Sequence, residues 1–259
     1  MHTPKVISKT AYSQYERRLT KEIMEGPVPK HVAIIMDGNR RYAVEILESG
    51  VSDGHRRGEQ KIEEMLDWCL NLKIPYITVY AFSSENFSRD RDEVDFLMDL
   101  SEAALYRMAD DPRVHENKVR IRVLGSLTDL PDKVQEAIEY ADARTAGYSD
   151  YSFNVAMAYG GRQEILAAVR KIAAEVKDGR LEIADISEDK FSSHLYTYDM
   201  PDPDLVLRTS GEIRISNFLL WQMAYSELYF TDVYWPGFRY IDFLRAVRSF
   251  QQRVRRYGV

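Results

Sequence analysis

"HVAIIMDGNRR", residues 31 to 41, begins as an unbroken apolar run and ends on an aspartate, a glycine, an asparagine and two arginines. A short apolar run between polar ends fits a strand buried on both faces, the kind that parallel sheets contain. Four further runs of this type follow, "YITVYAFS" (76–83), "VRIRVLG" (119–125), "SFNVAMAYG" (152–160) and "DLVLRTS" (204–210). Stretches with helical periodicity separate them at 55–72, 91–110, 131–147, 161–178 and 187–196, and a last one covers 240–257. This alternation predicts an α/β fold, a central, mostly parallel sheet of about six strands surrounded by helices. Ligands of such sheets gather beyond the carboxyl ends of the strands, so the polar residues that close each run are where function is expected. Residues 1–30 are expected to form a helical N-terminal extension around "AYSQYERRLTKEIME", and residues 31–259 the main domain.

The whole-chain figures agree with one globular domain: 259 residues, 45% apolar and 29% charged. A net charge of -6 argues against a nucleic-acid partner, because counterion release rewards an excess of basic residues; a local basic cluster could still hold a small polyanion. Cys69 is the single cysteine, which leaves no internal disulfide and fits a reducing compartment. The first residues lack the apolar centre of a secretory signal, and no stretch has the length of a membrane span, so a cytoplasmic protein is expected.

Four clusters could carry chemistry. "MDGNRR" offers turn amides, cations and Asp37, which suits phosphate and a hard cation, although Asp-Gly-Asn is also a common plain turn. "DGHRRG" (53–58) sits where a helix is expected to begin and could bind an anion there, or be a solvated basic helix start. "YAFSSENFSRDRDEV" places Ser83, Asn86, Phe87 and Arg89 after the second strand, as a loop over a ligand or as a polar connection. "RTSGEIRIS" (208–216) holds Arg208 and Arg214 among small hydroxyl residues, directly before the apolar "NFLLWQMAY". Paired guanidiniums suit a diphosphate, and singly each would more often be a surface ion pair; it is the coincidence of four such clusters on one rim that favours the anion. Glu227, between aromatics in "YSELYF", is either hydrogen-bonded or a metal ligand. No nucleotide-binding glycine motif is present.

In these residues the chain resembles the cis-prenyltransferases, the undecaprenyl diphosphate synthase-like enzymes. The resemblance runs in unbroken order over about residues 31–258, through "HVAIIMDGNRR", "GHRRG", "YAFSSENF", "NVAMAYGGR", "RTSGEIRISNFLLWQMAYSELYF" and "WPGF". It implies an elongated apolar tunnel beside the sheet and a transferase that condenses isopentenyl diphosphate with an allylic prenyl diphosphate, forming cis double bonds. It further implies that Asp37 coordinates magnesium and orients the allylic diphosphate, with Gly38, Asn39, Arg40, Arg41 and Tyr42 in the turn around it and His55 beside it. Arg208, Arg214 and Ser216 are implied to hold the isopentenyl diphosphate, with Ser83 lining the site and Glu227 a further partner to the metal from a second subunit or second site. Asn86, Phe87 and Arg89 are implied to form a mobile flap, Asn86 with a catalytic part. Arg256 and Gly258 match a carboxyl-terminal signature that implies a homodimer, and the lipid product implies peripheral contact with a membrane surface for release.

Two departures stand out. Arg40 and Tyr42 replace a glycine and a tryptophan usual in that turn, which leaves open an unusual prenyl donor or acceptor. Tyr151 and Phe153 stand where smaller aliphatic residues are common, which favours a shorter product if they point into the tunnel. A non-catalytic accessory subunit is the remaining alternative, disfavoured because Asp37 and both arginines of the 208–214 cluster are present.

Overall fold

A computed structural model describes residues 9–257, with side chains described for 13–253. In chain order it contains α1 (Lys9–Met24), β1 (His31–Ile35), α2 (Asn39–Glu45), α3 (Val51–Asn71), β2 (Tyr76–Ser83), α4 (Arg91–Asp110), α5 (Pro112–Glu116) and β3 (Val119–Leu124). There follow α6 (Asp132–Thr145), β4 (Tyr151–Tyr159), α7 (Gly161–Lys177), α8 (Glu188–Ser192), β5 (Leu205–Arg208), β6 (Glu227–Phe230) and α9 (Tyr240–Tyr257). The strands make one sheet in the order β3-β4-β2-β1-β5-β6, and every neighbouring pair is parallel. All the carboxyl ends therefore share one rim.

From β1 the chain moves outward through β2 and later returns to place β5 on the other side of β1. The strand order thus reverses between β1 and β5, and at such a switch point the two following connections leave in opposite directions and open a crevice. Asp37 follows β1 and Arg208 ends β5, in register with Ile35.

Alternation along β4 assigns its two faces, as a period of two requires. Phe153, Val155 and Met157 join the larger core with α3, α4, α6 and α9, whereas Ala156 joins the smaller one with Ile35, Val206 and Phe218. α1 is not a loose appendage: Leu19 and Ile23 belong to the larger core, and Gln251 of α9 donates to the carbonyls of Ile23 (2.8 Å) and Pro27 (3.1 Å).

At the opposite rim, buried His31 lies between the Pro201 carbonyl (2.7 Å) and the Thr78 hydroxyl (2.8 Å). Burial outweighs those contacts and lowers its pKa from 6.5 to about 4. Between these values the unfolded chain binds a proton that the folded one refuses, so this stability is complete above pH 6.5 and is lost as pH falls toward 4. A shift of that size corresponds to about 3 kcal/mol. Melting curves of the wild type and of His31→Asn, recorded from pH 7.5 to 4.5, should converge as the pH falls; parallel curves would contradict this assignment.

Candidate active site

α2 begins where a plain turn was one of the readings. Gly38, at φ 104°, caps its amino end, and a Cβ there would meet the Tyr234 ring at 2.7 Å and Ser210 at 2.9 Å. Asp37 is fixed by its own backbone: its N–H donates to the Thr209 hydroxyl (2.9 Å), which donates back to the Asp37 carbonyl (2.7 Å). The carboxylate accepts from Arg208 Nη2 at 2.7 Å, and Arg41 stands 3.7 Å away. Burial alone would raise the Asp37 pKa; the Arg208 hydrogen bond and charge, the Gly38 amide and Arg41 outweigh it and leave the carboxyl below its usual range.

Arg208 is 4% exposed; both its terminal nitrogens are engaged, while its buried Nε has no hydrogen-bond partner. Besides Asp37 it donates to the Ser216 hydroxyl (2.7 Å) and to the Arg214 carbonyl, folding the 208–216 loop back on itself. That loop carries Ser210 (φ 76°), Ser216 (φ 48°) and Asn217 (φ 62°) in the left-handed region, which costs on the order of 1–3 kcal/mol for such non-glycine residues and is typical of functional loops. Arg41 donates to Ser210 (2.7 Å) and pairs with Glu212 (3.3 Å), which also holds Arg214 (2.6 Å).

The helix carrying "DGHRRG" starts earlier than expected, at Val51, so His55 lies beyond its free amides. The glycines have another use. A Cβ on Gly54 would meet the Asn39 carbonyl at 2.1 Å, and one on Gly58 the Asn39 Oδ1 at 2.3 Å, so they let α2 lie against α3. His55 donates from Nε2 to Glu93 (3.1 Å). Burial is the main cause of its lowered pKa, opposed by Glu93, and it is neutral at pH 7. Glu93 also holds Arg89 (2.9 Å) and Arg40 (3.5 Å), which gathers the turn, the helix and the loop after β2 around one carboxylate. That loop is a 3-10 helix, Ser84–Ser88, in which Asn86 accepts from the Ser83 amide (3.0 Å).

Asp37, Gly38, Asn39, Arg40, Arg41 and His55 thus line a single polar cleft with Ser83, Asn86, Arg89, Arg208, Arg214 and Ser216. An apolar cavity adjoins it between α3, α4 and the sheet, lined by residues such as Ile62, Leu100, Met108 and Phe153. The two share Met36, Asn39, His55, Ala81 and Leu97 as a common border.

Three expected residues do not reach the cleft. Tyr42 turns away beside Gly237, Phe87 packs edge-on against Phe82 (4.9 Å), and Glu227 starts edge strand β6, where it pairs with Arg253 (2.7 Å). Because β6 is parallel to β5, with Glu227 opposite Leu205, its carboxylate is three positions short of the rim. Gly258 and the Arg256 side chain lie outside the described residues. Glu93, Thr209, Tyr80 and Asn217 were missed. Only Glu93 left a trace, as the partner four residues after Arg89 on a helix start.

The family of undecaprenyl diphosphate synthases within the prenyltransferases matches residues 35–258. The chain belongs to the cis-prenyltransferase family. It is 52% identical over 257 residues to the tritrans,polycis-undecaprenyl-diphosphate synthase (geranylgeranyl-diphosphate specific) of Pyrococcus abyssi, covering 99% of this chain and 97% of that protein. The enzyme of the same description from Methanocaldococcus jannaschii is 53% identical over 246 residues, 94% of this chain and 88% of that one. Among solved structures, lavandulyl diphosphate synthase from Lavandula x intermedia in complex with dimethylallyl diphosphate superposes with a TM-score of 0.82 at 36% identity, over 89% of this chain and 96% of that one. The prenyltransferase fold therefore spans nearly the whole chain, and among the described residues no helix is long and apolar enough to cross a membrane.

Of the two tyrosine or phenylalanine departures in β4, only Phe153 lines the cavity; it is fully buried, whereas Tyr151 is half-buried at the strand's start. Phe153→Ala should lengthen the main product by at least one isoprene unit, read by chromatography against length standards, and destabilise the fold by about 3–5 kcal/mol. A well-folded variant with unchanged product length would exclude Phe153 from the tunnel's length limit.

Proposed function

We propose that this prenyltransferase extends geranylgeranyl diphosphate with successive isopentenyl diphosphates, in cis, to a long polyprenyl diphosphate. The observation that carries this reading is the common border of the arginine-rich cleft and the apolar cavity, which suits a molecule with a diphosphate head and a hydrocarbon tail. The named primer follows that of the Pyrococcus abyssi and Methanocaldococcus jannaschii relatives.

Arg208, Arg214 and Ser216 hold the isopentenyl diphosphate; Gly38, Asn39, Arg40 and Arg41 surround that of the allylic substrate. Asp37 is ionised and stands between the two groups. A carboxylate among phosphate-binding donors fits magnesium, which commonly binds through one or two carboxylates together with substrate phosphates; among the described residues no group of three or more acids, cysteines or histidines is placed to hold a metal. Bound there, the ion would offset negative charge on the departing diphosphate. The allylic C1–O bond breaks and its electron pair leaves with the diphosphate. C4 of the isopentenyl unit bonds to C1, and a proton is lost from its C2. The arginines hold both diphosphates so that these carbons meet at the cleft-cavity border, and positioning plus fixed charge is the protein's contribution. Each unit that enters the cavity stabilises the bound chain by roughly 2–4 kcal/mol. Asn86 and Arg89 act from the loop after β2.

Glu227 would reach a metal only from a second copy of the chain, so we propose a homodimer in which Glu227, Arg256 and Gly258 serve the partner's site, with a cytoplasmic enzyme releasing its lipid at a membrane surface. Purified protein with magnesium, geranylgeranyl diphosphate and radiolabelled isopentenyl diphosphate should yield labelled lipids with cis double bonds. No incorporation with any allylic primer would overturn the reading.

A further inference from the structure

One wall of the apolar cavity contains a carboxylate that the chemistry above does not use. Glu59, on α3, lines the cavity together with Ile62, Leu100 and Leu105, and its side chain is only 12% exposed. Burial pushes its carboxyl up, Arg107 pulls it down and Glu63 raises it again. Its partner lies across the seam: Arg107 of α4 donates to Glu59, also reaches Glu63 at 3.6 Å, and is itself 49% exposed. The pair therefore spans the wall, its anion facing the hydrocarbon space and its cation facing water.

α3 and α4 are fastened on both sides of the cavity. Near the cleft, His55 donates to Glu93 and the Arg56 guanidinium lies 5.3 Å from the Phe96 ring centre. Further along, Glu59 and Glu63 meet Arg107, and Arg113 of α5 reaches Glu63 (3.8 Å) while tied to Asp67 (2.7 Å) and Asp111 (2.5 Å). Between these fastenings the helices are separated by the cavity, with Leu97, Leu100, Ser101, Ala104 and Ile62 facing it.

An aliphatic pair at the same place would stabilise the closed wall more, because a buried ion pair rarely repays its desolvation. The ionic pair differs in how it opens. Parting two aliphatic side chains exposes apolar surface, whereas parting Glu59 from Arg107 leaves the half-exposed guanidinium in water with Glu63 still beside it at 3.6 Å, which offsets part of the lost attraction. A contact of this kind is firm when closed and inexpensive to open from within.

We propose that Glu59 and Arg107 form a latch across the α3–α4 seam that closes the side of the hydrocarbon cavity and sets how many isoprene units are added before elongation stops. The inference rests on the prenyl-elongating reading of the same cavity. Each addition drives the tail further in; while the latch holds, the tail meets a closed wall and growth ends, and once it parts the tail passes between the helices and further units fit. Glu59 and Arg107 determine product length and take no part in bond making.

The test uses the purified full-length enzyme with magnesium, geranylgeranyl diphosphate and labelled isopentenyl diphosphate, scoring the rate of the first condensation and the length distribution separately. Glu59→Gln, which keeps the side-chain shape, and Arg107→Gln should each shift the main product to greater length by one or more isoprene units, with first-condensation rates within about threefold of wild type. The reversed pair, Glu59→Arg with Arg107→Glu, should restore the wild-type length. A Glu59→Cys/Arg107→Cys protein bridged by a short bis-maleimide should give the wild-type length or shorter, and the unbridged protein longer products. Normal incorporation with unchanged or shortened products in both single variants, or the same length with and without the bridge, overturns the latch and leaves the elongating activity standing. Absence of incorporation by the wild type overturns the activity, and the latch with it.

Discussion

Asp37→Asn is expected to lower turnover by about 10³-fold or more while losing less stability than Asp37→Ala, because the amide oxygen still accepts from Arg208 but the charge that faces the diphosphates and a hard cation is gone. Asp37→Ala should lose activity to a similar extent and stability as well. In the wild type the Arg208 guanidinium is almost fully buried and pairs with Asp37 at 2.7 Å. Removing its counter-charge leaves a buried cation unmatched, at a cost of about 3 kcal/mol. Steady-state rates and thermal melts of the two variants separate the effects. An Asp37→Asn enzyme with near-normal turnover at ordinary magnesium would remove Asp37 from the chemistry.

Arg208→Lys keeps the charge and should still reduce kcat/KM by about 10²–10³-fold. Arg208 makes three directed contacts at once, to Asp37, to the Ser216 hydroxyl and to the Arg214 carbonyl. An ammonium is a point charge on a flexible stem and cannot hold that planar set. Released from it, the loop containing Ser216 and Asn217 should relax out of its left-handed backbone conformation, so the isopentenyl diphosphate KM is expected to rise more than kcat falls. Activity close to wild type would mean that charge alone, and not the fork, is what the site requires.

The strands were legible because β1, β2, β4 and β5 are buried enough to appear as near-continuous apolar runs, and their polar ends located the rim. β6 was not among the runs, since its four residues are all half-buried and lie within a longer aromatic stretch. α2 was read as a turn because "DGNRR" has turn chemistry; it is a helix because Gly38 adopts the left-handed conformation that starts it and Gly54 and Gly58 let it pack. Single-residue roles depended on which way side chains point. Arg208 and Arg41 converge on Asp37, but Tyr42 faces Gly237, and nothing in the order of residues distinguishes these outcomes. Glu93 escaped notice because its three partners come from three separate segments.

If Asp37 and Arg208 each hold a diphosphate as proposed, their 2.7 Å contact would set the two diphosphate seats side by side. After each bond is made, the lengthened molecule sits with its head in the seat that received the small substrate, so it must hop to the adjoining one before the next round. That short sideways step would push the greasy tail one notch further through the collar of Met36, Asn39, His55, Ala81 and Leu97. The stroke that resets the enzyme and the stroke that feeds the channel are then one movement, and processivity needs no separate motor.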